Sequence, residues 1–175
     1  MRNKDLKNVS PKLWERYPNL QVLDLSQNPV EIPDAFANLE GLKNLRLQQC
    51  GLSSLPISLL SGLKNLQSLD LDKNNFSEFY SDSISCDQVD LKSLSYLNLN
   101  GNNIKEIPAF LRFLPNLKQL LMHMNKVTSV KPLCRSMFSG LEVLDLGGNK
   151  VDDLPVALIH YCKGLCQLTL TNNEL

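Results

Sequence analysis

Seven times along the chain a leucine opens the pattern LxxLxLxxN: at Leu20, Leu42, Leu66, Leu94, Leu117, Leu141 and Leu165, at spacings of 22, 24, 28, 23, 24 and 24 residues. The ninth position is Asn28, Cys50, Asn74, Asn102, Asn125, Asn149 and Asn173. A repeat of this length leaves few folds open. One copy is too small to bury its own apolar face, so the copies must stack into a shared core. Within a copy the fourth and sixth residues are apolar and alternate with polar ones, the period of a half-buried strand. Seven short parallel strands are therefore expected near residues 22–25, 44–47, 68–71, 96–99, 119–122, 143–146 and 167–170, in one curved sheet. The Asn ends each strand, where its amide can satisfy backbone groups freed as the chain turns. Stacked copies predict an Asn ladder, interrupted at Cys50 by a weak S–H donor.

These motifs resemble the leucine-rich repeat family, whose period is about 20–29 residues with Asn or Cys at the ninth position. The resemblance covers nearly the whole chain. It implies an α/β solenoid: a right-handed superhelix with a curved parallel sheet on the concave face and short α or 3-10 turns on the convex side. It is specific for fold and says little about function. The second half of each copy is regular as well: Leu52 and Leu55 with Pro56, Ile104 and Ile107 with Pro108, Val151 and Leu154 with Pro155. Pro suits the first turn of a helix, where its missing N–H is not needed, so one or two turns of α- or 3-10 helix are expected after each.

A single domain over residues 1–175 is expected, a half repeat (1–19) followed by the seven copies. Leu6, Val9, Leu13, Trp14 and Tyr17 match the second half of a repeat, and Ser10-Pro11 reads as a helix start. The sequence begins and finishes mid-repeat without a polar cap, so it reads as a stretch of a longer array. The alternative is that the ends meet another chain, which leaves a monomer or end-to-end contacts. Copy three carries a Ser- and Asp-rich insertion within residues 80–93. It reads as a tolerated surface loop, with a phosphorylatable or docking loop as the alternative.

The 18 basic and 18 acidic residues cancel, which removes the electrostatic case for nucleic acid or an anionic membrane as the main partner. No apolar run approaches the ~20 residues of a spanning helix, and the first residues lack the apolar core of a signal peptide. The five cysteines, Cys50, Cys86, Cys134, Cys162 and Cys166, are odd in number and lack a cysteine-rich cap. They argue for a reducing compartment, cytoplasmic or alternatively nuclear, over a disulfide framework. The glycosylation-like sequences at Asn8 and Asn75 then read as chance. Cys162 reads as a small core residue and Cys166 as a surface strand residue; with no second pair nearby, no metal is expected.

No catalytic constellation is present in the pattern. Asp24, Asp70, Asp72 and Asp145 lie on an open sheet face, whereas general acid–base chemistry needs paired groups in a closed pocket. His160 lies in an apolar return, His123 has no nucleophile beside it in its strand, and Gly147-Gly148 lacks the frame of a phosphate loop. The expectation is a chain that is no enzyme and takes no cofactor.

One copy breaks the surface pattern. Position five is polar or charged in six copies, at Asp24, Arg46, Asp70, Asn98, Asp145 and Thr169, but it is Leu121 in copy five, followed by His123 and Met124. Positions three, five and seven are expected to face the concave solvent, on strands about 4.8 Å apart. Tyr96, Leu121, His123 and Val143 then share one neighbourhood, with Met124 at its edge, Asn98 and Asp145 beside it, and a recess at Gly147 and Gly148. An apolar patch with an aromatic anchor and a polar rim is the form a protein-binding surface takes. The bland alternative is neutral drift in a degenerate copy whose sixth position is Met122.

The order "YLNLNGNNIKEIPAFLRFLPNLKQLLMHMNKVTSV", then "LEVLDLGGNKVDDLPVALIHYCKGLCQLTLTNN", is similar to intracellular proteins of the leucine-rich repeat-containing protein 40 type and to the plant Ras-group leucine-rich repeat proteins. Copy one departs from that pattern, being one residue short between Asn28 and Pro33. The resemblance implies a cytoplasmic or nuclear interaction protein. Two functions follow from the sequence: a module binding a protein or peptide on its concave face, or an architectural or regulatory segment of a larger signalling protein, such as a kinase, GTPase or ubiquitin ligase.

Overall fold

The computed structural model describes residues 16–78, 89–134 and 138–175. The half repeat up to residue 15 and most of the copy-three insertion, with Cys86, lie outside the described residues. Each LxL segment forms a three-residue strand: β1 Val22–Asp24, β2 Asn44–Arg46, β3 Ser68–Asp70, β4 Tyr96–Asn98, β5 Gln119–Leu121, β6 Val143–Asp145 and β7 Gln167–Thr169. The strands are one residue shorter than the pattern suggests, because the sixth residue already leads into the turn. They form one parallel sheet in sequence order. The register never slips: Leu23, Leu45, Leu69, Leu97, Leu120, Leu144 and Leu168 stand side by side. The first six are at most 5% exposed, and Leu168, on the edge strand, is 42% exposed. Burying one such leucine contributes about 1.5–3 kcal/mol, and stacking multiplies that term along the axis.

The sixth position supplies a second buried row, and Phe36, Phe76 and Phe110 fill the space towards the convex side. There the returns are short: 3-10 turns at Asp34–Asn38, Ala109–Phe113 and Lys131–Leu133, and two helices, α1 (Ile57–Gly62) and α2 (Val156–Tyr161), among the described residues. Pro132 lies in the first turn of its 3-10 segment, whereas the prolines before the other four returns sit just ahead of theirs. Pro33, Pro56, Pro108 and Pro155 are the N-cap residues, extended at ψ of 151°, 140°, 129° and 138°. Their carbonyls accept the first turn's N–H, as from Leu59 to Pro56 at 3.1 Å and from Leu158 to Pro155 at 2.8 Å. Proline lacks only a donor, so it fills a position that needs an acceptor.

The Asn ladder is present and explains the ninth position. From the third copy on, each amide nitrogen donates to the position-six carbonyl of its own copy and of the copy before: Asn74 to Leu71 (3.0 Å) and Leu47 (2.8 Å), Asn125 to Met122 (3.1 Å) and Leu99 (2.9 Å). The amide oxygen accepts the position-eleven N–H of the preceding copy, from Leu52, Ile104, Val127 and Val151 at 3.0, 3.0, 2.9 and 2.9 Å. Buried amides with both ends satisfied hold neighbouring copies in register. At the eighth position every copy turns through positive φ, at Gln27, Gln49, Lys73, Gly101, Met124, Gly148 and Asn172.

Candidate binding face of the sheet

The register sorts the solvent-facing side chains into three rows. Tyr96, Gln119 and Val143 are neighbours in the first row, and Asn98, Leu121 and Asp145 in the second. Asn100, His123 and Gly147 follow two residues further on in each copy. The structure thus gathers the residues singled out from sequence. It also corrects how they face solvent. Asn98 is only 7% exposed, and Leu121, Val143, Tyr96, His123 and Asp145 are half-buried. Met124 is the exposed apolar side chain of the group, at 64%. The patch is a shallow, mostly tucked surface with one protruding thioether.

The polar residues at position five have a structural task. Their Oδ1 accepts the backbone N–H two residues on: Ser26 to Asp24 at 3.1 Å, Asp72 to Asp70 at 3.2 Å, Asn100 to Asn98 at 3.0 Å and Gly147 to Asp145 at 2.9 Å. This local turn satisfies a donor that the end of the strand leaves open. Leu121 cannot do so. In its copy the His123 N–H donates instead to Oδ1 of Asn100, on the neighbouring copy, at 2.7 Å. Copy five can be apolar at position five because copy four supplies the acceptor. That exchange was not legible in single copies, although Asn at position seven of copy four was its visible mark.

The expected recess at Gly147 is occupied. A Cβ there would lie 2.7 Å from Nδ1 of His123 and 3.0 Å from Oγ1 of Thr171, so the absent side chain makes room for the imidazole. His123 Nδ1 is 3.8 Å from Oδ1 of Asp145 and has no hydrogen-bond partner. Further along, Arg46 lies 3.7 Å from Asp24, and Gln48 donates to Asp70. Burial pushes the Asp70 carboxyl above the usual range, opposed by the Asp72 N–H and the Gln48 amide. Burial, then the Asp70 charge, raises the Tyr96 phenol, which is hydrogen-bonded to Asn98. The three rows hold Asp24, Asp70, Asp72 and Asp145 against Arg46, so the face is acidic within a chain whose charges balance. Among the described residues no group of three or more His, Cys, Asp and Glu converges, and no helix is long and apolar enough to cross a membrane.

Models of the leucine-rich repeat match residues 92–135, in a two-copy form, and residues 19–39 and 65–86, in a single-copy form. The chain is 29% identical to lumican of Rattus norvegicus, covering 100% of this chain and 57% of lumican. Among solved structures, a leucine-rich repeat protein of Leptospira interrogans superposes with a TM-score of 0.84 at 32% identity, over 99% of this chain and 42% of that one. The TLR13–ssRNA13 complex gives a TM-score of 0.79 at 33% identity, over 93% of this chain and 23% of that one. The repeats of this chain are leucine-rich repeats, and its fold is a leucine-rich repeat solenoid. It spans a little over half of lumican and under half of those two solved chains.

Proposed function

We propose that this chain is a non-catalytic binding module that holds a protein or peptide partner on the concave face of its sheet. The observation that carries the reading is Leu121, apolar in the middle of a polar row, between Asn98 and Asp145. Tyr96, Val143 and His123 surround it, and the exposed Met124 stands at its edge. Asn98 and Asp145 spend an oxygen on backbone N–H groups, so they shape the surface and rim it. A protein partner is favoured over nucleic acid because the face carries a net negative charge, which repels phosphate. The TLR13–ssRNA13 complex is a reason to test RNA directly, since the same fold occurs there with it.

A second reading, a repeat segment of a larger protein with its activity elsewhere, draws on the small part of some relatives that this chain covers: it aligns with 14% of Toll-like receptor 9 of Sus scrofa. The finer likeness to the leucine-rich repeat-containing protein 40 type and the plant Ras-group proteins, and a cytoplasmic or nuclear location, belong to the proposal too. The free thiols of Cys50, Cys134, Cys162 and Cys166 support a reducing compartment.

The test is affinity capture from lysate with the parent chain and with Leu121→Asp, Tyr96→Ala and the control Gln167→Ala, an exposed residue of β7 on the same face. Proteins held by the parent and the control, and lost with both patch variants, support the reading. A central anchor costs about 2 kcal/mol or more on truncation, roughly thirtyfold in affinity. Salt-sensitive binding of single-stranded RNA, unaffected by those variants, would move the function off this face.

A further inference from the structure

The Asn ladder has one gap, and a cleft sits in it. In five neighbouring pairs of copies the position-ten N–H donates to the position-eleven carbonyl of the copy before: Asn75 to Leu52, Asn103 to Phe76, Lys126 to Ile104, Lys150 to Val127 and Glu174 to Val151, at 2.7–2.9 Å. The pair of copies one and two lacks this bond. Cys50 stands at the ninth position, and its Sγ reaches the Leu25 carbonyl at 3.4 Å, doing the work of an amide nitrogen. It has nothing equivalent to the amide oxygen. The Val30 N–H, which would donate to that oxygen, instead turns back to the Asn28 carbonyl at 2.8 Å. Among the described residues neither the Gly51 N–H nor the Val30 carbonyl has a backbone partner.

Both residues line an open cleft of about 600 Å³ on the edge of the solenoid where the strands give way to the returns. That volume lies within the ~300–1,000 Å³ range of small-ligand sites. Its lining is mixed: Ile32 is half-buried, Leu52 and Leu55 are buried beneath it, Ser53 and Ser54 stand exposed at its rim, and its one charged lining residue is Glu31. Gly51 is exposed, and a Cβ built on it meets no atom within 4 Å, so the residue stands open to solvent on that side.

We propose that this cleft is a docking site for an extended peptide segment, separate from the sheet face. An unpaired donor and an unpaired acceptor lining one cleft match a peptide unit, which brings one carbonyl and one N–H. The bound segment donates to the Val30 carbonyl, accepts from the Gly51 N–H, and lays a side chain against Ile32, a main-chain pairing of the kind that strand addition uses. Glu31 disfavours acidic peptides and phosphate groups, so the occupant is a neutral or basic segment.

The test is selection of random linear peptides displayed on phage against the full chain, with Cys50→Asn as counter-selection. Enriched peptides are then synthesised and measured by fluorescence anisotropy and amide chemical shifts. Cys50→Asn supplies the missing oxygen, so the Gly51 amide should exchange with solvent more slowly as the gap closes. Ser54→Trp fills the same cleft from its exposed rim and decides the matter if exchange at Gly51 does not change. The expected result is neutral or basic peptides whose affinity falls at least about tenfold, the equivalent of one hydrogen bond, in the closing variant, with shifts centred on Val30 and Gly51. No enriched peptide, affinities unchanged in both variants, or shifts confined to the sheet rows around Leu121 would overturn the proposal.

Discussion

At the residue scale, position five links surface and backbone. Asn98 and Asp145 are held to their own turns, and Asn100 holds the turn of copy five in place of Leu121. Asn100→Ala should therefore leave the His123 N–H without its acceptor and cost about 1–2 kcal/mol. Adding Leu121→Asn should recover most of that loss, because the new amide accepts the same N–H locally. Urea unfolding of the two single variants and the double variant measures the coupling; strict additivity would mean that Asn100 does not serve copy five. Asp70 gives a pH test. Its folded pKa is raised, first by burial, so the protonated form suits the folded state better than the unfolded one. Its contribution to stability is full below the unfolded carboxylate value of about 3.9 and is lost as pH rises through the folded value. Asp70→Asn keeps an oxygen for the Asp72 N–H, as Asn98 does for Asn100. The variant should gain stability relative to the parent between pH 3.5 and pH 7 (roughly the span across that titration). A difference that stays flat with pH would show that Asp70 is equally stable in both charge states.

At the scale of elements, α1 packs on the Asp34–Asn38 turn at a point with no room to spare. A Cβ on Gly62 would meet Cβ and O of Ala37 at 2.6 Å and its Cα at 2.8 Å, so backbone would have to move. Gly62→Ala should cost about 1–3 kcal/mol despite its better helix propensity. Gly140→Ala, where nothing lies within 4 Å, should change stability by less than about 0.5 kcal/mol. Thermal unfolding of both variants checks the contrast. Strand positions were legible because the LxL rule depends on one copy alone, and Leu45 or Leu97 needs no neighbour to be recognised. The role of Asn100 and the gap at Cys50 were not, since each depends on an atom that one copy lacks and another supplies. The tight seat of Gly62 was hidden for the same reason: Ala37 lies 25 positions earlier in sequence. The exposure of the candidate patch was overestimated because a parallel sheet brings side chains of three copies so close that half of each surface is covered by its neighbours.

At the scale of the molecule, the core is a stack, and a leucine's contribution depends on whether it has a copy on each side. Leu120 and Leu168 occupy the same position of their repeats and differ only in that respect: Leu120 is fully buried between β4 and β6, whereas Leu168 pairs with β6 alone and is 42% exposed. Nearest-neighbour coupling then predicts unequal losses from one chemical change. Leu120→Ala should cost about 2–5 kcal/mol, because a cavity opens inside a row that neighbours on both sides hold rigid. Leu168→Ala should cost less, about 1–2 kcal/mol, since 42% of that residue already lies in water and the open edge can relax around the change. Urea midpoints of the two variants, measured at several protein concentrations, decide the point. Equal losses that depend on concentration would mean that the edge of β7 is covered in solution by a second copy. Equal losses independent of concentration would mean that cooperativity spans the whole stack and that the nearest-neighbour picture fails for this solenoid.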